Sequence, residues 1–276
     1  MKKNLSIAVA VDFTAASMHA LDWALAMFGK GAPPEVQFLI VHAFKPTVPY
    51  TNTPTLPVMK NDELEVRLKE KLDAVLKNTP AGMNVEGVFE RGTISEVMVS
   101  LTANRSIDLA VMGTQEKGVW ERLTVGSNTL EAAEKLSCPV VAIPIEYQIR
   151  PMEALVLTTD LQLPTVAPGQ RGWVEYFVGS GNVELTALHV ISDEEQMEAT
   201  TQQHKQVFEK ELSGLSYTLE LLSDDNVYRG IARYVEGRDP NLLMVIPRDR
   251  NFFQELFQPS LTDRIVAHGK VPVMIF

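Results

Sequence analysis

Two α/β units in tandem, each a doubly wound parallel sheet of the Rossmann-like kind, are what this 276-residue sequence predicts. Three observations carry the prediction. Short apolar runs suited to strands alternate with stretches of helical spacing, which implies parallel pairing through right-handed crossovers. Landmarks then recur without gaps at an offset of 133: residues 107–112 on 240–245, 138–143 on 271–276, and Gly126-Ser-Asn-Thr129 on Pro259-Ser-Leu-Thr262. Further upstream, Ile7-Ala-Val-Ala-Val-Asp12 resembles Leu155-Val-Leu-Thr-Thr-Asp160 at an offset of 148, so the first half carries about 15 extra residues. A repeat this long is a duplicated domain rather than a solenoid unit. The expected domains are 1–149 and 150–276.

The elements follow in order. Residues 5–11 form a short apolar run, suited to a strand buried on both faces. Met18, Leu21, Leu25 and Phe28 recur at helical spacing, and Gly29 and Gly31 close that helix. Residues 36–42 are the next strand. Four prolines among threonines make Pro46 to Pro57 a loop, since proline gives no N–H to a ladder. Leu64, Leu68, Leu72 and Val75 mark one face of a charged helix. A weaker strand at 85–89, a short helix at 94–101, a strand at 107–112 and a final strand at 139–143 complete the unit. A linker at 147–153 contains Pro151. The second unit repeats the order with strands at 154–159, 183–190, 217–222, 242–246 and 271–276. Pro164, Pro168 and Gly169 interrupt the early turns of its first helix. The two final strands are apolar edges, and exposed apolar edges invite pairing, so they are expected to pair with each other inside one chain.

Composition excludes several classes. Hydrophobic content of 45% and charged content of 22% suit a globular protein, and no apolar stretch approaches the roughly 18 residues of a membrane span. Net charge is −10, split as −2 over residues 1–150 and −8 over residues 151–276, which argues against nucleic acid as a partner. The lone Cys138 excludes an internal disulfide and fits a reducing cytoplasm.

The chemistry concentrates after the fourth strand. Gly113-Thr-Gln-Glu-Lys-Gly118 leads to Gly126-Ser-Asn-Thr129, which opens a helical stretch. Glycines bring bare N–H groups near a ligand, and hydroxyls at a helix start add donors where the dipole favours an anion. Gly113, Thr114, Glu116, Gly118, Gly126, Ser127, Asn128 and Thr129 therefore describe a phosphate cradle. Ligands bind beyond the carboxyl ends of strands in such sheets, and Asp12 falls at one of these ends. Each residue also has a plainer reading. Asn128 with Glu131 makes a capping box, Ser127 caps the same helix, Gly126 passes a tight turn, and Asp12 caps the helix after it. His42 and His189, ending the two second strands, read as polar caps rather than bases. A Walker A loop fails because Val119-Trp120 stand where Lys-Ser/Thr belong, and no metalloprotease or hydrolase signature is present.

Taken together, these residues resemble the universal stress protein family, whose nucleotide-binding members carry Gly-x2-Gly-x9-Gly-Ser/Thr after the fourth strand and an aspartate ending the first. The resemblance covers both halves and includes the His-Ala and His-Val endings of the second strands. It implies tandem domains of the adenine nucleotide alpha hydrolase-like fold in a cytoplasmic stress-response protein, a nucleotide-responsive binding or regulatory module. By similarity, Asp12 faces adenine and ribose, and Ala43 lines the base pocket. Gly113, Gly126, Ser127 and Thr129 hold the phosphates of ATP or another adenine nucleotide, with magnesium or manganese. The paired final strands would mimic the dimer of single-domain members, with further homodimerisation open. The chain departs from the pattern at Glu116, which stands where the second glycine belongs. Its carboxylate opposes phosphate, swings into solvent, or helps hold a divalent ion between itself and the phosphates. In the second half Ile246, Asp249 and Pro259 replace all three glycines. A slow ATPase, or a structural stress protein without ligand, are the alternative readings.

Overall fold

The computed structural model describes residues 4–29, 35–46, 61–114, 131–132, 134–159, 166–179, 182–191, 206, 208, 210–246 and 271–276. The first half runs β1 (Asn4–Ala10), α1 (Ala15–Phe28), β2 (Glu35–Phe44), α2 (Asn61–Lys77), β3 (Asn84–Arg91), α3 (Ile94–Asn104), β4 (Leu109–Thr114) and β5 (Val140–Pro144). The second runs β6 (Ala154–Thr158), α4 (Pro168–Val178), β7 (Glu184–Ile191), β8 (Thr218–Ser223), α5 (Val227–Arg238), β9 (Leu242–Val245) and β10 (Val273–Ile275).

All ten strands join one sheet in the order β3-β2-β1-β4-β5-β10-β9-β6-β7-β8. Pairing is parallel within each set of five and antiparallel only where β5 meets β10, with Val140, Val141 and Ala142 opposite Ile275, Met274 and Val273. The expected pairing of the two apolar edges is thus present. It shields both from solvent, and all six of these residues are at most 2% exposed.

Alternation along the strands sorts side chains onto two faces. Val9, Val11 and Val111 pack beneath α1 in a core that continues through β6 and α4, so it belongs to both halves. Ala8, Ala10 and Met112 face the other way, against Val97, Met98 and Leu101 of α3. Phe28 of α1 joins the halves on the shared face, with its ring 5.5 Å from Tyr176, 5.8 Å from Phe177 and 6.2 Å from Trp173.

Local chemistry sets the helix ends. Thr14 caps α1 and accepts from the Ser17 N–H, while the Gly29 N–H closes the far end on Leu25 O. Thr93 and Glu96 form a reciprocal capping box on α3. Two expectations are corrected. Pro168 does not interrupt its helix but occupies the first turn of α4, where its missing N–H costs nothing. The fourth strand does not stop at 112, because Gly113 and Thr114 continue the ladder opposite Ile143 and Pro144.

Candidate functional site

In the first half the chain builds outward from β1 to β2 and β3, then returns to the other side of β1 for β4 and β5. Strand order therefore reverses between β1 and β4, where a doubly wound sheet leaves a crevice at its carboxyl edge. Asp12 sits at this switch point, two residues beyond β1, and Thr114 ends β4 beside it in the sheet order. Ala43 lies near the end of β2, half-buried against the α3 face.

Asp12 is exposed and tightly held. Its Oδ1 accepts from the Thr14 hydroxyl at 2.6 Å and the Thr14 N–H at 3.0 Å, while its own N–H donates to Ser17 Oγ at 3.2 Å. Asp12 therefore does not cap α1 directly. It anchors Thr14, which is the cap. Partial burial alone would raise the Asp12 pKa, but the Thr14 and Ser17 hydroxyls and the Thr14 N–H outweigh it and hold the carboxyl below its ordinary value. The ionised form is thus favoured by folding. The turn's contribution to stability is fully present above the ordinary carboxylate range and is lost as pH falls through the folded-state value. An acid titration of stability in which Asp12→Asn loses that dependence is the expected check.

Between Asp12 and Thr14, Phe13 adopts a left-handed φ of 65°, uncommon for a bulky residue. Its ring lies 4.5 Å from that of His42, and the Lys71 ammonium stands 5.7 Å over it. His42 is 5% exposed, and its Nδ1 lies 2.7 Å from the Val11 carbonyl oxygen. A carbonyl only accepts, so the proton is on Nδ1. His189 repeats the contact with the Thr159 carbonyl at 2.8 Å. The reading of both histidines as polar caps matches this geometry. Phe13, Thr14 and Ser17 had a weak signal in sequence, an Asp-x-Thr just before a helical period.

Gly113 faces α1. A Cβ there would overlap the Ala16 carbonyl and lie 2.8 Å from the Ser17 nitrogen, so the glycine lets α1 approach β4 backbone to backbone. Thr114 is buried, and its carbonyl accepts from the Ile145 N–H. Glu116, Gly118, Gly126, Ser127, Asn128 and Thr129 lie outside the described residues, as does Asp160. Glu131, the capping-box partner expected for Asn128, places Oε1 2.6 Å from Lys135 Nζ. Burial pushes the Cys138 thiol up to about 12, which makes it a poor nucleophile.

The sequence model of the universal stress protein family matches residues 4–144. The chain belongs to that family. A universal stress protein from Archaeoglobus fulgidus DSM 4304 has a similar structure at 15% identity, covering 98% of this chain and 97% of its own with a TM-score of 0.71. A putative universal stress protein from Pseudomonas aeruginosa UCBPP-PA14 is similar at 11% identity, covering 98% and 91% with a TM-score of 0.59. An Arabidopsis thaliana family protein with AMP bound covers 51% of this chain and 90% of its own at 17% identity; its TM-score of 0.34 is too low to carry its ligand over. These likenesses concern the fold. No curated protein matches the chain. Among the described residues no helix is long and apolar enough to cross a membrane.

Proposed function

We propose that this universal stress protein binds ATP or another adenine nucleotide in its first half and acts as a nucleotide-responsive regulatory module in the cytoplasm. The boundary between its units falls at 149/150. The supporting observation is the Asp12 turn: an exposed carboxylate, fixed by Thr14 and Ser17, at the switch point where β1 and β4 part. Ala43 and Thr114 occupy neighbouring strand ends on the same edge. The Gly126-Ser-Asn-Thr129 run follows β4 in sequence and supplies donors suited to phosphate. Magnesium or manganese would enter with the phosphates, whose oxygens supply hard ligands for it. The second half, with Ile246, Asp249 and Pro259 in place of the glycines, binds no triphosphate.

Calorimetry on nucleotide-free protein tests this reading. One ATP per chain is expected, with binding lost in Gly126→Pro, which copies the second half, while the fold is kept. No heat at millimolar ATP would overturn it. Glu116 modulates the same site. A carboxylate ~5 Å from a phosphate oxygen costs roughly 3 kcal/mol at an effective dielectric of about 20. Glu116→Gly should therefore tighten ATP binding up to ~100-fold and leave adenosine affinity unchanged. Weaker binding, and only with the divalent ion present, would show instead that Glu116 holds the metal.

A further inference from the structure

We infer that His42 is a positioning residue for the nucleoside end of this site, acting on Asp12 through both of its chain neighbours without touching the ligand. The inference rests on the nucleotide reading above. Val11, before Asp12, gives its carbonyl to His42 Nδ1 at 2.7 Å and its N–H to the Val41 carbonyl at 2.8 Å. Phe13, after Asp12, lays its ring against the same imidazole at 4.5 Å, tilted by 33°. Phe89 backs the imidazole from β3 at 5.5 Å, so the ring is held by a third element. One buried side chain thereby fixes the peptide on each side of Asp12, including the strained left-handed residue. That strain persists only where its surroundings over-determine it, and His42 and Lys71, together with the core beneath α1, pack on Phe13 and supply the constraint.

The second half separates this role from phosphate binding. It has lost all three glycines, yet His189 still holds the carbonyl of Thr159, the residue before Asp160, as His42 holds that of Val11 before Asp12. The clamp therefore accompanies the residue before the aspartate and not the glycine run. Asp12 is the group that the nucleotide reading places at adenine and ribose, so the clamp should set affinity for the nucleoside and leave affinity for phosphate alone.

Two variants split the clamp. His42→Phe keeps a ring against Phe13 and removes the donor, whereas His42→Asn keeps a donor near the Nδ1 position and removes the ring. Amide exchange at Thr14, whose N–H is bonded by Asp12, should accelerate in both variants, while the amides inside β1 keep their protection and report an intact fold. Adenosine affinity should fall about tenfold in His42→Phe, the scale of one lost hydrogen bond, and recover in part in His42→Asn. Affinity for inorganic tripolyphosphate should stay as in the parent. Unchanged Thr14 exchange, or equal losses for adenosine and tripolyphosphate, would overturn the inference. A parent that binds neither adenosine nor ATP overturns the nucleotide reading and the nucleoside role with it; the Thr14 exchange then still reports whether His42 holds the turn.

Discussion

Gly113→Ala is expected to destabilise the protein by about 3 kcal/mol, near the upper end for overpacking, because the added methyl meets backbone rather than a side chain that can rotate away. The Ala16 carbonyl belongs to the first turn of α1, so relief requires the helix start to move off β4. That start also carries Ser17, which accepts from the Asp12 N–H, and Thr14, which donates to the Asp12 carboxylate. Folded Gly113→Ala should accordingly bind nucleotide more weakly than the parent. The second half shows how the chain does without this glycine. Ile246 stands at the corresponding position and packs partly buried against the shared core. In the second half nine residues lie between the end of β6 and the start of α4 at Pro168, whereas four lie between β1 and α1. The later start of α4 goes with a side chain at this position in place of a glycine. Ile246→Ala should then cost only the lost burial of a partly exposed residue, ~1–2 kcal/mol. Urea midpoints for the two variants decide it. Equal, small shifts would mean that α1 can retreat from β4 at little cost.

Much of the fold was legible because the physics that forms it is local and repeated. Residues 7–9 of β1 are fully buried, and a strand covered on both faces must be apolar throughout. The helix at α2 declared itself by spacing although only Leu72 on it is buried. The pairing of β5 with β10 followed from two apolar edges needing cover. Other features were hidden for definite reasons. Proline in a helical stretch reads as a breaker unless the start is known, and only the structure shows that α4 opens on Pro168. A glycine after an apolar run suggests a turn, but Gly113 is needed for close approach inside β4, and a sequence does not distinguish the two. Of the candidate site, Asp12 and the histidines were visible as types and positions. The left-handed backbone of Phe13 that joins them was not, since the Asp-x-Thr marks a turn but phenylalanine carries no signal for positive φ.

Asn241→Ala should cost about 3 kcal/mol, because one 2% exposed amide satisfies the connection between the two halves. Its Oδ1 accepts from the N–H groups of Glu153 and Ala154, both at 2.9 Å, and its Nδ2 donates to the Pro151 carbonyl at 2.9 Å and to Tyr147 Oη at 3.4 Å. The stretch expected as a linker is thus a fixed strap, and truncation removes four hydrogen bonds from it at a buried amide. The repeat explains why the residue is an amide. Asp108 corresponds to Asn241 and accepts from the Ser6 N–H at 2.9 Å, so a carboxylate serves where the partner is a donor. In the second half the Pro151 carbonyl also needs a donor, which only the amide provides. Asn241→Asp therefore makes a sharper test than alanine, since it keeps the shape. At neutral pH it opposes a carboxylate to the Pro151 oxygen in a buried place, which raises the folded-state pKa above the ordinary value. The protonated acid can donate as the amide does, so the deficit relative to the parent should be full at neutral pH and shrink as pH falls through that raised value. Because the sheet is continuous and the core under α1 and α4 is shared, the loss should appear as one shifted transition. A second transition confined to the second half, with the first unmoved, would show that the strap does not couple them.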